Sequence, residues 1–417
     1  MLFFYHLLMF GFSFSIRLAS LWSEKARQWI RGRERIFERM ASSIDPANGP
    51  IVWMHCASLG EFEQGRTVLE SIRKEYPHFR ILLTFFSPSG FEVRKNTKLA
   101  DWVFYLPLDG KRNANRFLDI VQPSMAIFVK YESWFHYLYA LQKRDIPSLL
   151  ISAFFRKEQN FFGMMGRLLR KMLDLYDFIY VQDKISADLL KQYDIKAPHA
   201  IAGDTRFDRV NELAMQEFHH PIIEKFVANH NVIVAGSTWR EDEELLLALH
   251  EQNPTLKFIL APHEVNEVHV AALKSRFKDA VFLSALEKGE EMGEENVLVI
   301  DCFGMLSKLY RFGTICYVGG GFNKAGIHNI LEAAAYGKLV FFGPNHQRTA
   351  EAGELIKVGV GFSISASQDF VKEIQHLISD QASRLALEKK AADFVESRTG
   401  ATKQIMAHVS RILNSFH

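Results

Sequence analysis

A chain of 417 residues with 48% apolar content has material for two hydrophobic cores and favours two or more domains. Its formal net charge is +2, so no general excess of positive charge argues for nucleic acid. Three cysteines, Cys56, Cys302 and Cys316, are far apart and odd in number. They fit a reducing compartment without a disulfide framework, and with no CxxC, HExxH or His/Cys cluster no metal site is indicated.

The N-terminal segment stands apart from the rest. Met1 to Ile16 is almost wholly apolar and aromatic, Arg17 interrupts, and Leu18 to Trp22 resumes. Lys25, Arg27, Arg31, Arg33, Arg35 and Arg39 follow. A secretory signal carries its positive charge before the apolar region, and here the charge comes after it. Residues 1–22 therefore read as a membrane anchor or an interfacial helix. About 20 apolar residues span a bilayer, Arg17 can snorkel, and a basic flank of this kind stays cytoplasmic.

From residue 51 apolar runs alternate with helical patterns. Strands are predicted at 51–57, 80–86, 102–107, 125–131, 148–155, 178–183 and 200–204. A looser, charged stretch covers 206–230. The alternation restarts with strands at 231–237, 257–262, 280–285, 296–301, 314–320 and 339–344, and helices close the chain from about Gln368. Uninterrupted apolar strands alternating with helices indicate parallel sheets covered on both faces. Two such series imply an α/β protein with two Rossmann-like domains facing a cleft, and ligands in such sheets bind beyond the carboxyl ends of the strands. The many phenylalanines, 35 in all, read as core filling.

Candidate chemistry lies at those ends. After the first strand, His55 to Glu61 reads HCASLGE. Ala57, Ser58 and Gly60 allow a tight turn, with Glu61 at its mouth as a general base for a hydroxyl or as a complement to a helix N-terminus. Past the fourth strand, Glu132 could orient a sugar hydroxyl, serve as a second acid/base group, or simply be a carboxylate at a helix start. Arg206, in GDTRFD, could reach a phosphate or carboxylate, or pair with Asp204 or Asp208. Ser237 and Thr238, before an acidic helix turn, suit an N-cap or a phosphate cradle. His263 follows the next strand and is a weak signal alone.

Gly319 to Glu332, GGGFNKAGIHNILE, is the densest of these segments. Glycines between a strand and a helix let backbone approach a ligand and aim N–H groups at an anion. His328, Asn329 and Glu332 at the helix start can bond hydroxyls, so the segment suits a ligand with both phosphate and sugar. No Gly-Lys-Ser/Thr follows, so it is not a Walker loop, and Lys324 stands where a dinucleotide fingerprint needs its third glycine. A tight βα turn packed by glycines is the plain alternative.

In order, these segments resemble the 3-deoxy-D-manno-octulosonic acid (Kdo) transferase family, over nearly the whole chain. His55-Cys56-Ala57-Ser58-Leu59-Gly60-Glu61 is similar to that family's HAASVGE. Gly319 through Ala333 matches its GGSFVPKGGHNPLEP without gaps, keeping Gly319, Gly320, Phe322, Gly326, His328, Asn329, Leu331 and Glu332. AGSTW from Ala235, Ser87-Pro88-Ser89-Gly90 and GPNHQ from Gly343 also fit. There are departures. TELWPN appears as Tyr131-Glu132-Ser133-Trp134-Phe135-His136, GNLKFD as GDTRFD with Arg206 replacing lysine, and PRHPER is reduced to Pro262-His263-Glu264.

The resemblance implies an inverting glycosyltransferase of the two-Rossmann type called GT-B, with a CMP-Kdo donor, a lipid A precursor as acceptor, and the membrane as partner. It implies Glu61 as catalytic base and Ser58, Gly60 and Glu132 on the acceptor side. On the donor side it implies Arg206, Ser237, Thr238, His263, Gly319, Gly320, Gly321, His328, Asn329 and Glu332. No cofactor or metal enters that scheme, and the expected place is the cytoplasmic face of the inner membrane. The expected divisions are an anchor at 1–22, an acceptor-binding domain at 23–210, a donor-binding domain at 211–400 and a closing helix at 401–417. A GT-B enzyme using a UDP-sugar, and a membrane-tethered sugar-nucleotide-binding module without turnover, are the alternatives.

Overall fold

The computed structural model describes residues 2–159, 166–324 and 326–416. Met1, Ala325 and His417, at the edges of the anchor and closing segments and within the glycine-rich segment, lie outside the described residues. The chain forms two compact units, Met1–Asp208 with Thr399–His417, and Arg209–Arg398.

The first unit holds β1 (Ile51–Cys56), β2 (Arg80–Phe85), β3 (Trp102–Tyr105), β4 (Pro123–Val129), β5 (Ser148–Ala153), β6 (Phe178–Val181) and β7 (His199–Ile201). They form one sheet in the order β3-β2-β1-β4-β5-β6-β7, with every pairing parallel. All six residues of β1 are buried. Ile51 and Trp53 enter one core, and Val52, Met54 and Cys56 enter the core on the opposite face. The period of two thus buries both faces, which is why the strand reads as an unbroken apolar run.

The second unit repeats the plan with β8 (Val232–Thr238), β9 (Lys257–Pro262), β10 (Ala280–Phe282), β11 (Val297–Val299), β12 (Ile315–Val318), β13 (Val340–Phe342) and β14 (Gly361–Ser363). Its order is β10-β11-β9-β8-β12-β13-β14, and it too is parallel throughout. In each sheet the strand order reverses beside the first strand, between β1 and β4 and between β8 and β12. These reversals are the crevices where open α/β sheets take ligands.

Some elements differ from the sequence reading. The stretch 206–230 is not loose: helices Thr205–Met215 and Pro221–Val227 fill most of it. Pro221 starts the second at the position where its missing N–H costs nothing, and Ile223 and Phe226, three apart, bury its inner face. The strand expected at 280–285 ends at Phe282, because a helix Leu283–Glu287 begins there. β14 carries no long apolar run and was not anticipated. The final helix, Ala401–Leu413, packs on the first unit through Ile405, Met406, Val409 and Leu413. Asp208 accepts from the N–H groups of Gly400 (2.5 Å) and Thr402 (2.7 Å), which fixes that helix start.

The apolar helix Leu2–Ala19 is long and apolar enough to cross a membrane, yet it is docked. Tyr5, Met9, Ser13 and Ile16, at helical spacing, are its less exposed positions. The Tyr5 hydroxyl donates to the buried carboxylate of Asp109, which also accepts from His136 N–H at 3.1 Å and Tyr137 N–H at 3.3 Å. His6 stacks on His136 at 5.0 Å. Arg33, one of the basic residues after the helix, is not a surface charge. It donates to the carbonyls of Leu106, Trp29 and Phe86, and burial pushes its guanidinium down to about 9. Tyr5→Phe removes a hydrogen bond to a carboxylate, worth about 1.5–3 kcal/mol. Amide hydrogen exchange across residues 2–19 is expected to speed up by roughly one to two decades. Unchanged exchange would mean that apolar contact alone holds the helix.

Candidate functional site

At the carboxyl edge of the first sheet, β1 turns into helix Leu59–Glu75. Ser58 is its N-cap and accepts from Gly60 N–H at 3.3 Å. Its hydroxyl donates to the carboxylate of Glu61, at the third helical position, where negative charge suits the helix N-terminus. Lys130 Nζ, from the end of β4, lies 3.8 Å from the same carboxylate. The Glu61 side chain is 16% exposed, so it is held on one side and open to solvent on the other. Base and helix complement are thus compatible roles for it.

Glu132 follows β4 and is buried. Trp134 Nε1 donates to it, and His55 Nε2 lies 3.2 Å from Oε2 without hydrogen-bond geometry. His55 Nδ1 meets Thr84 Oγ1 at 2.9 Å, and Trp53 Nε1 donates to the same hydroxyl at 2.8 Å. Side chains from β1, β2 and the loop after β4 therefore come together at this edge. Lys130 and Ser152, at the ends of β4 and β5, have φ of 77° and 53°. Strained backbone of this kind clusters at functional edges.

Arg206 belongs to the first unit. Its Nε and Nη2 both reach Asp204 Oδ2, at 2.9 and 2.5 Å, so the bland ion pair exists. The other donor-side candidates lie in the second unit. There Ser237, next to the last residue of β8, has φ 52°. The N-cap of helix Arg240–Gln252 is Trp239, not Ser237 or Thr238. Thr238 is fully buried and gives its hydroxyl proton to Glu243 at 3.2 Å.

The cap is closed by Asp242, which accepts from Trp239 N–H at 2.9 Å. The same buried carboxylate accepts from Gly320 N–H at 2.9 Å and from the Tyr317 hydroxyl at 2.7 Å. Burial pushes its carboxyl above the ordinary range. Gly319 N–H goes to Gly236 O at 2.9 Å. The glycine segment is therefore not an open array of N–H donors. Its glycines serve close approach: a Cβ on Gly321 would stand 2.6 Å from Gly343 Cα, and one on Gly319 2.7 Å from Asp242 Oδ2. Beyond it the helix is the single turn Leu331–Ala334. Asn329 accepts from Leu331 N–H at 3.2 Å and donates to Glu332 Oε1 at 3.0 Å, so these two polar groups do stand together.

A second group gathers on the same edge. Trp239 Nε1 donates to His328 Nε2 at 3.1 Å, and His263 stacks against both rings, with centroids at 4.5 Å in each case. Burial, and then His263, push His328 down to about 4. Lys130, Trp239 and Asp242 were missed as site residues. Trp239 ends the AGSTW segment, Lys130 lies in the predicted strand 125–131, and Asp242 was visible only as acid after AGSTW.

Residues 34–209 match the family described as 3-Deoxy-D-manno-octulosonic-acid transferase (kdotransferase). The 3-deoxy-D-manno-octulosonic acid transferase of Aquifex aeolicus is 28% identical over 338 residues, covering 79% of this chain and 86% of that protein. That of Haemophilus influenzae is 27% identical over 396 residues, covering 90% and 91%. Residues 34–209 thus carry a Kdo transferase domain, and the chain is similar to Kdo transferases over most of its length. A bifunctional glycosyltransferase/methyltransferase of Fusobacterium nucleatum is 26% identical over 348 residues, 80% of this chain, and the chain spans 53% of its length.

Solved structures carry the same fold. UDP-GlcNAc 2-epimerase of Neisseria meningitidis matches with TM-score 0.59 at 16% identity, covering 87% of this chain and 100% of that one. MurG of Acinetobacter baumannii matches with TM-score 0.53 at 14% identity, covering 87% and 99%. The fold of this Kdo transferase relative is thus GT-B, with two Rossmann-like units. The packing of Gly321 on Gly343 gives a direct test. Gly321→Ala overpacks backbone on backbone and is expected to cost about 1–3 kcal/mol, read as a lower thermal midpoint. Gly353→Ala, in helix Ala350–Val358 with nothing within 4 Å of the added methyl, is expected to leave the midpoint unchanged or raise it.

Proposed function

We propose that this chain is an inverting glycosyltransferase that moves Kdo from CMP-Kdo to a lipid A precursor, lipid IVA, in lipopolysaccharide core biosynthesis. The observation that carries the reading is Glu61: a carboxylate at the reversal point of the first sheet, oriented by Ser58 and Lys130, inside the segment most similar to the family's signature. In this reading the Glu61 carboxylate takes the proton of an acceptor hydroxyl. The hydroxyl oxygen bonds to the anomeric carbon of Kdo, and the bond from that carbon to the CMP phosphate oxygen breaks. CMP leaves with the electron pair.

Ser58 and Gly60 shape the turn that presents the base, and Glu132 holds the acceptor side through its own bonds. On the donor side Asn329 and Glu332, already paired, are oriented to meet the ribose hydroxyls. Arg206, from the first unit, meets charge on the leaving phosphate or the sugar carboxylate. Electrostatic stabilisation of that growing charge is usually the largest catalytic contribution.

The acceptor in this reading is a lipid, and the docked N-terminal helix with the turn after it keeps Phe3, Phe10, Leu21 and Trp22 bare at 69–74% exposure. Aromatic and aliphatic side chains of this kind enter the headgroup and acyl boundary. The proposed place of work is the cytoplasmic face of the inner membrane.

The test is incubation with CMP-Kdo and a tetra-acylated lipid A precursor, followed by mass analysis of the lipid. Product carrying added Kdo is expected. Transfer from a UDP-sugar instead would replace the donor, and nucleotide binding without turnover would make the chain a binding module. Glu61→Gln is expected to lower transfer by about 100- to 10,000-fold while CMP affinity, measured by calorimetry, stays near wild type. Near wild-type turnover would remove Glu61 from the mechanism.

A further inference from the structure

The rings of Trp239, His263 and His328 are arranged in a way that core packing does not require. Trp239 and His328 are almost coplanar, with an interplanar angle of 11° and centroids 6.5 Å apart. They are joined edge to edge by the Trp239 Nε1–H to His328 Nε2 bond of 3.1 Å. Together they form one flat, two-ring surface. His263 lies across it, tilted 25° to Trp239 and 27° to His328.

The two halves of that surface are fixed from behind. Asp242 binds both Trp239 N–H and Gly320 N–H, so one buried carboxylate ties the tryptophan to the glycine segment. His328 N–H returns to Gly319 O at 3.1 Å. Gly320 has φ +99°, and a Cβ there would stand 3.0 Å from His328 Cδ2. The glycine is what lets the imidazole lie flat beside the loop.

His263 is held differently. Its side chain is exposed, and its ring makes no hydrogen bond among the described residues. Its backbone N–H is anchored to Thr238 O at 3.0 Å. The ring can therefore rotate away into solvent while the backbone stays in place.

The geometry points to Trp239 and His328 as the stacking platform for the nucleobase of the donor, with His263 occupying the base's place until the nucleotide arrives. The inference rests on the donor reading above and extends it to the base. The platform is at the reversal between β8 and β12, the same edge as Asn329 and Glu332. A flat heteroaromatic ring is the ligand that such a surface takes, since stacking needs only a π-face. With His328 neutral and its Nε2 lone pair committed to Trp239, the surface offers stacking without a charge to be desolvated.

Titration calorimetry with CMP and with ribose 5-phosphate separates the base from the rest of the nucleotide. Trp239→Ala is expected to weaken CMP by roughly one to two decades, the usual effect of removing one stacking ring, with ribose 5-phosphate unchanged. Trp239→Phe, which keeps a flat ring, is expected to recover most of the CMP affinity. His263→Ala is expected to tighten CMP several-fold, because the base no longer competes with a tethered imidazole. CMP binding to Trp239→Ala at wild-type strength overturns the platform and leaves the donor reading standing. Equal weakening of both ligands, or weaker CMP binding by His263→Ala, also overturns it. A wild-type protein that binds UMP and not CMP overturns the CMP donor alone, and the same variants then test the platform with UMP. Absence of binding to either nucleotide overturns both.

Discussion

In each unit all seven strands run in one direction, and that constraint governs where chemistry can sit. Parallel strands deliver their carboxyl ends to a single edge, and the connections that leave that edge start helices. Loops there carry polar groups that the apolar strands cannot. At the reversal of strand order neighbouring connections diverge to opposite faces, so a crevice opens between them. Glu61 and Glu132 follow β1 and β4, on either side of one reversal. Thr238 and Gly319 end β8 and follow β12, on either side of the other.

A buried carboxylate organises each of these edges. Glu132 collects Trp134 and, through His55, the Thr84 and Trp53 pair. Asp242 collects Trp239, Gly320 and Tyr317. An unpaired carboxylate would be costly at such burial, whereas one that accepts hydrogen bonds, from Trp134 for Glu132 and from three donors for Asp242, is tolerated. Removing a donor strands the charge, so the geometry of these loops is far more constrained than their exposure suggests. That rigidity lets the more accessible groups at the same edges, Glu61 in one unit and Asn329 with Glu332 in the other, stand in fixed positions. Catalytic and binding groups need such support to within a fraction of an ångström.

Much of this was legible in the sequence because two-sided burial writes itself as apolar runs. Thirteen of the strands coincide with such runs, β9 with both its boundaries. β14, only Gly361–Ser363, has too few residues to make a pattern. The helices over 206–230 were hidden because their outer faces are charged and their inner faces carry few large apolar residues. The motifs located the site edges, since glycine and serine at a strand end have local causes. The bonds that shape those edges were not legible. Asp242 meets Gly320 across 78 residues and His55 meets Thr84 across 29, and no periodicity encodes such pairs. For the same reason the glycines of 319–321 read as free N–H donors, when two of those N–H groups are already engaged inside the fold.

The N-terminal helix illustrates how one long-range bond changes a reading. By length and apolarity it could cross a bilayer. A crossing helix is surrounded by lipid or by other helices along its length. Here the stripe of Tyr5, Met9, Ser13 and Ile16 faces the first unit, and the Tyr5 hydroxyl is spent on Asp109. Crossing would require that bond to break and would leave a tyrosine hydroxyl and a buried carboxylate without their partner, at a cost in kilocalories. The aromatic contacts of Phe12 with Trp29 and Phe86 would be lost as well. Lying in the interface keeps all of these contacts and still places the bare face, with Phe3, Phe10 and Phe14, against acyl chains. These contacts therefore favour a helix that stays docked on its unit over one that leaves it to pass through a bilayer.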